Sequence, residues 1–189
     1  MPMQPVFSKQ HSNRELINRL QTAYPNFCNT LLLINIQQQH LYYLQDLQLA
    51  FEYTISSASL GIGQQSGSNQ TPLGAHLILE KFGDNAPLGA IFRGRQDTGE
   101  VATILTDKDA RSEQDNITSR ILRLDGLETG INQGGNVDSY QRYIYLHGTD
   151  EEGLLGTPAS HGCIRLANQD IIDLYPQLPI NTLVYIYEN

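Results

Sequence analysis

The chain has few cysteines and few cations, and no long apolar run. Among 189 residues there are two cysteines, Cys28 and Cys163. That is too few for a disulfide-stapled secreted scaffold, and two free thiols suit a reducing compartment. Lys and Arg number 12 against 20 Asp and Glu, for a net charge of −8 and a pI near 4.9. Such an acidic surface argues against nucleic acid or anionic membrane as partner, because both need a basic footprint. No stretch approaches the ~20 apolar residues of a membrane span. The opening residues Met1 to His11 also lack the basic, apolar and small-residue order of a signal peptide. A cytoplasmic location is therefore expected, with a periplasmic one as the alternative should a leader precede Met1.

Hydrophobic residues make up 40% of the chain and charged residues 17%, a composition that folds around a core. There are no internal repeats and no low-complexity tract. Residues 1–11 read as a loose arm. Ser12-Asn13-Arg14-Glu15 has the form of a capping box, and Leu16, Ile17 and Leu20 recur at helical spacing toward Ala23. From Thr30 the pattern turns to short strands rich in Leu, Ile, Tyr and Phe: 30–36, 41–44, 49–55, 77–79, 90–92, 119–122, 143–146 and 183–187. Six charged residues make 106–116 a solvated loop or short helix rather than core. The glycine-rich segment 125–141 is long for a bare connection, and such segments are often lids or binding loops. Asn168 reads as the N-cap of a helix over 169–175, stopped by Pro176. The expected fold is mainly β, an α+β minor variant with a short N-terminal helix. An arm and helix over 1–28 would precede one domain over 29–189.

The informative stretch is His147-Gly148-Thr149, followed by Ser160-His161-Gly162-Cys163-Ile164-Arg165-Leu166. A thiol is a poor nucleophile until it loses its proton, so a catalytic cysteine needs a base or cation nearby. On an extended strand, residues two apart share a face, which would put His161 beside Cys163. His147, at the end of its strand, could approach from a neighbour. Gly148 and Gly162 allow close backbone approach and unusual dihedrals. A lone buried cysteine is usually an inert small hydrophobe, the preferred reading for Cys28. Lone histidines are usually structural or exposed, the reading given to His11, His40 and His76. For Cys163 that reading weakens, because two histidines, a glycine and an arginine crowd around it. A structural zinc site is disfavoured, since no second cysteine stands near.

The pattern H-G-T followed by S-H-G-C-I-R-L resembles the signature of the L,D-transpeptidase (YkuD-type) catalytic domain. Gln70 to His76, Phe92 to Arg95, Ile117 to Leu122 and Asn181 to Ile186 look like the same family, so the resemblance runs from about Thr30 to Glu188. Many members carry Asn two residues after the cysteine, where this chain has Arg165. The resemblance implies a β sandwich or barrel, no cofactor and no metal, and two-step acyl transfer on a peptidoglycan stem peptide. By position, Cys163 would be the nucleophile and His147 its base, with His147 oriented by the backbone carbonyl of Gly148. His161 would polarise the site, and the amides around Gly162 and Cys163 would receive the oxyanion. Arg165, with Ser160, is the candidate for contacting substrate, because a guanidinium holds a carboxylate in bidentate fashion. A structural ion pair is the alternative for Arg165. The implied donor is a tetrapeptide whose third residue, usually diaminopimelate, is linked to D-Ala. The acyl group would pass to water, as in an L,D-carboxypeptidase of muropeptide recycling, or to an amine, forming a 3–3 cross-link or exchanging a D-amino acid. Without an export signal, hydrolysis is the expectation. A domain that binds wall fragments without turnover is the competing class, and an inert β domain is a third.

Overall fold

The structure, a computed structural model, describes residues 7–26 and 30–188. Cys28 lies outside the described residues. Helix α1 spans Phe7–Ala23. It begins before Ser12, so the expected capping box falls more than a turn inside the helix, and residues 7–11 belong to it rather than to an arm. Leu16, Ile17 and Leu20 of α1, with Tyr24, pack on Leu31, Leu33, Tyr42, Leu44, Ala75 and Leu183.

Ten strands follow among the described residues: β1 Leu31–Asn35, β2 His40–Gln45, β3 Gln48–Ser56, β4 Gly74–Phe82, β5 Ala90–Arg93, β6 Gln96–Val101, β7 Ile117–Gly126, β8 Tyr145–Thr149, β9 Ile164–Leu166 and β10 Leu183–Tyr187. The sheet order is β4-β10-β1-β2-β3-β9-β8-β7-β5-β6, and β4 also pairs with β7. That extra pairing closes the first eight strands into a ring and leaves the β5–β6 hairpin as a flap on β7. The mainly β expectation holds, and the closed ring makes it barrel-like.

The uninterrupted run Leu31-Leu32-Leu33-Ile34 reflects burial on both faces. Leu32 and Ile34 point into the ring with Ile78, Leu122, Leu146, Ile164 and Val184, whereas Leu31 and Leu33 face α1. Helix α2, Asn168–Leu174, adds Ile171 and Leu174 to the interior. Among the described residues no helix is long and apolar enough to cross a membrane.

Other departures from the sequence expectation lie in β6 and in segment 125–141. β6 is wholly exposed, and its sequence Gln-Asp-Thr-Gly-Glu-Val shows no apolar alternation to betray a strand. Segment 125–141 is less free than a lid. Asn132 is fully buried, and its Nδ2 donates to the carbonyls of Leu73 and Ala75, both at 3.0 Å, while its Oδ1 accepts from Glu128 N at 2.9 Å.

Candidate active site

β8 and β9 run parallel, with Leu146 opposite Ile164 and His147 opposite Arg165. Leu146 and Ile164 fill the ring interior, so alternation sends Tyr145, His147 and Arg165 to its outer face. Cys163, the residue before β9, falls beside Tyr145, whose backbone N–H points at Sγ from 3.4 Å. Sγ in turn donates to the carbonyl of Tyr143 at 3.4 Å. Cys163 packs against the outer-face cluster of Ala90, Phe92, Ile121 and Tyr145, and Ile121 is the cross-strand partner of His147. His147 and Cys163 thus share the outer face, with Cys163 two residues before Arg165, the cross-strand partner of His147.

His147 is 2% exposed, and its Nδ1 lies 2.6 Å from the carbonyl oxygen of Gly148. A carbonyl only accepts, so Nδ1 carries the hydrogen and Nε2 keeps its lone pair. Burial pushes the imidazole down to about 4, with the Gly148 hydrogen bond opposing. Burial likewise pushes the Cys163 thiol up to about 12, with the Tyr145 N–H pulling the other way. Burial thus favours the neutral form of both groups. With burial favouring the protonated thiol, its proton leaves as the bond to carbon forms.

Gly148 is glycine for a steric reason. A Cβ there would lie 2.7 Å from Thr118 O and 2.8 Å from Asn168 Oδ1. Asn168 is not the N-cap expected of it, because Ala167 holds that place. It is a fully buried hub instead: Oδ1 accepts from the hydroxyls of Thr118 and Ser119, both at 2.6 Å, and Nδ2 donates to Thr149 O at 2.7 Å.

The turn before Cys163 is held from within. Ser160 Oγ donates to Cys163 O at 2.6 Å and accepts from Gly162 N at 3.2 Å. Thr71 Oγ1 donates to Gly162 O at 2.9 Å. Gly162 has φ +136°, in the region that favours glycine. Two expectations change here. Ser160 is 1% exposed and spends its hydroxyl on the turn rather than on substrate. Of the amides expected to receive an oxyanion, that of Gly162 is already committed to Ser160.

His161 and Arg165 also depart from their expected roles. Residues 161–163 form a bend rather than a strand, and the His161 side chain, 66% exposed, turns to Asp115, whose Oδ2 lies 2.6 Å from its Nδ1. The other oxygen of Asp115 meets Arg165 Nη2 at 2.5 Å, and Arg165 Nη1 meets Glu151 Oε2 at 2.8 Å. The Arg165 side chain is 1% exposed. Its guanidinium is consumed by two internal carboxylates, so the ion-pair alternative replaces the substrate-contact expectation. Burial alone would raise the Asp115 carboxyl, but Arg165, His161 and His147 together hold it below its ordinary range.

Sequence reasoning missed Asp115, which sits in the segment read as solvated. The available signal was indirect: a buried arginine demands an anion. It also missed Arg142. That side chain donates to the carbonyls of Gly63 (3.2 Å), Gln64 (2.9 Å) and Gln70 (2.7 Å) and carries its charge next to Cys163, which favours the ionised thiol. Among the described residues, no group of three or more His, Cys, Asp and Glu is placed to hold a metal ion.

Comparison with known proteins gives a consistent picture. The family model "L,D-transpeptidase catalytic domain" (YkuD) matches residues 29–186. A curated relative, the probable L,D-transpeptidase YcfS of Escherichia coli (strain K12), is 27% identical over 168 residues, which are 88% of this chain and 47% of the relative. The chain therefore spans about half the length of that protein. Among solved structures, Bd1075 of Bdellovibrio bacteriovorus superposes with a TM-score of 0.53 at 14% identity, covering 87% of this chain and 49% of that one. L,D-transpeptidase 3 of Mycobacterium tuberculosis, solved with a faropenem-derived adduct, gives 0.51 at 16% identity over 85% and 60%. At these identities the superpositions carry the fold alone.

Proposed function

The chain belongs to the L,D-transpeptidase (YkuD) catalytic-domain family, and from that premise we propose that Cys163 is the nucleophile of peptidyl transfer on peptidoglycan stem peptides. The observation that carries the proposal is the 2.6 Å contact from His147 Nδ1 to Gly148 O, which leaves Nε2 as the basic nitrogen on the face shared with Cys163. Sγ attacks the carbonyl carbon of the third stem residue while its proton passes to Nε2. The tetrahedral oxyanion collapses, the C–N bond to D-Ala breaks, and the imidazolium returns the proton to the leaving amine. A thioester on Cys163 remains. A neutral thiol–imidazole pair suits this sequence, since charge is created only as the new bond forms.

Water is the proposed acceptor, making the chain an L,D-carboxypeptidase that trims tetrapeptides to tripeptides. Cys163 keeps partial exposure, which supports access of water to a thioester there. The second reading, transfer to an amine to form 3–3 cross-links or exchange D-amino acids, is favoured by the likeness to YcfS of E. coli, a probable L,D-transpeptidase. Mass spectrometry of the purified chain with a disaccharide-tetrapeptide separates the two. Loss of one D-Ala is expected. Appearance only of a cross-linked dimer or a D-amino-acid exchange product overturns hydrolysis. Fractionation of native cells tests the accompanying proposal of a cytoplasmic role on recycled muropeptides.

A further inference from the structure

Burial opposes an ionised Cys163, and two guanidiniums favour it, those of Arg165 and Arg142. Arg165 is held by Asp115 and Glu151, so its charge is already matched. Arg142 has no carboxylate partner among the described residues, although it is half-buried. Its fork meets four neutral acceptors instead. Nη1 donates to the carbonyls of Gly63 at 3.2 Å and Gln64 at 2.9 Å, and Nη2 to Ser68 Oγ at 3.4 Å and Gln70 O at 2.7 Å. These dipoles satisfy the N–H groups, yet a full positive charge remains. Desolvating a cation in this way is unfavourable unless an anion forms close by.

The backbone ties this residue to the sulfur from two directions. Tyr143, next in the chain, accepts from Sγ through its carbonyl at 3.4 Å. Its φ of +57° is left-handed backbone that a bulky aromatic rarely adopts, and such strain gathers at functional sites. On the other side, the Gln70 carbonyl that receives Arg142 stands 3.5 Å from where a Cβ on Gly162 would lie, and Thr71 Oγ1 donates to Gly162 O at 2.9 Å. The loop 63–71 that Arg142 grips is therefore packed on the turn just before Cys163. Other groups around the sulfur do not supply the same field. Asp115 opposes Arg165 there and is bound to it and to His161. Burial keeps Tyr145 and His147, both on β8, toward their neutral forms. Arg123 of β7 pairs with Glu80 at 2.9 Å, Arg93 of β5 is bound by Gln114 and Asn116, and Arg95 of the β5–β6 turn donates to Tyr145 Oη at 3.2 Å.

We propose that Arg142 is a positioning residue of the reaction, a fixed and unmatched positive charge that sustains the negative sulfur of Cys163 while no proton is on it. The proposal rests on the cysteine-nucleophile reading above and gives Arg142 two moments of action. In acylation the thiol proton passes to His147 Nε2 as the bond from sulfur to carbon forms, and Arg142 stabilises the charge that gathers on sulfur. In hydrolysis water adds to the thioester and gives its proton to His147. The C–S bond then breaks with its electron pair on sulfur, and the imidazolium returns the proton there. Arg142 stabilises that departing sulfur.

The test needs no substrate. In a Cys28→Ser background, iodoacetamide alkylates Cys163 at a rate proportional to its ionised fraction while the thiol stays mostly protonated. Arg142→Gln removes the charge and Arg142→Lys keeps it, and both break the four-point fork. Both are therefore expected to lower the melting temperature. At pH 8, Arg142→Gln should react about tenfold more slowly than the parent, the scale of one nearby charge, and Arg142→Lys within about twofold of it. In turnover, kcat for D-Ala release should follow the same order with KM unchanged. Equal alkylation by Arg142→Gln and the parent overturns the proposal. So does an equal loss in Arg142→Lys and Arg142→Gln, which would mark the fork as a structural clamp. Should Arg142→Gln fail to fold, Arg142→Lys alone decides: a tenfold loss with the charge retained overturns the proposal, and a rate like the parent's supports it. Failure of the parent to release D-Ala overturns the proposed reaction instead, and alkylation still decides the role of Arg142.

Discussion

The carbonyl oxygen of Gly148 accepts the Nδ1 hydrogen of His147 at 2.6 Å, so the residue after the imidazole fixes its tautomer. Among the described residues no carboxylate performs this orienting role. A neutral carbonyl directs the ring without stabilising an imidazolium by charge, in keeping with the low proton affinity that burial gives His147.

Loss of the base and displacement of its orienter have separable effects. His147→Gln is expected to lower kcat for D-Ala release by about 10²–10⁴-fold, the range of general-base catalysis. Gly148→Ala forces a methyl against Thr118 O and Asn168 Oδ1. It should cost about 1–3 kcal/mol in urea unfolding, the usual range for overpacking, and lower kcat as well. Equal turnover by His147→Gln and the parent would remove His147 from the mechanism.

Arg165 distinguishes a structural from a substrate-binding guanidinium. Arg165→Met leaves Glu151, whose side chain is 7% exposed, without its cation. Breaking one partner of a buried pair costs roughly 3–5 kcal/mol, so a fall in melting temperature is the expected readout. An unchanged melting temperature with a raised KM would return Arg165 to the substrate.

Acid should weaken the fold through two buried imidazoles. His76 is fully buried between Gly74 O (3.0 Å) and Ser139 Oγ (2.9 Å), and burial pushes it down to about 4. His147 is pushed down to the same value. Unfolded, each imidazole binds its proton near 6.5. Between about pH 6.5 and 4 the unfolded chain therefore holds more protons, and stability falls as pH falls through that window. Each group contributes roughly 3 kcal/mol of this slope. Urea midpoints measured at pH 7 and 4.5 should converge in His76→Gln relative to the parent. An identical pH slope in both would refute the assignment.

The sequence made the strands with apolar alternation or runs readable, because burial on one or both faces writes a local pattern; β10 appears with its expected limits at Leu183–Tyr187. β6 was hidden because an exposed edge strand buries nothing. Around the site, the motif identified the elements that converge, since His147 and Gly148 lie on β8 and Cys163 immediately precedes its parallel neighbour β9. What escaped were partners distant in sequence. Asp115 is 50 residues from Arg165, and no local pattern marks it. Ser160 and Arg165 look like surface ligands in a motif and become internal supports only when the chain closes over them. Asn168 looked like a cap because the cue is local, whereas its hydroxyl and carbonyl partners come from β7 and β8.

The central claim is covalent and can be read directly. The chain is mixed with a disaccharide-tetrapeptide, quenched in acid within the first turnover, and its intact mass and cysteine-containing peptides are measured. The account predicts a disaccharide-tripeptide acyl group on the peptide holding Cys163, one D-Ala released per acyl group, and neither in Cys163→Ala. Release of D-Ala by Cys163→Ala, or an acyl group found on Cys28 instead, would contradict it.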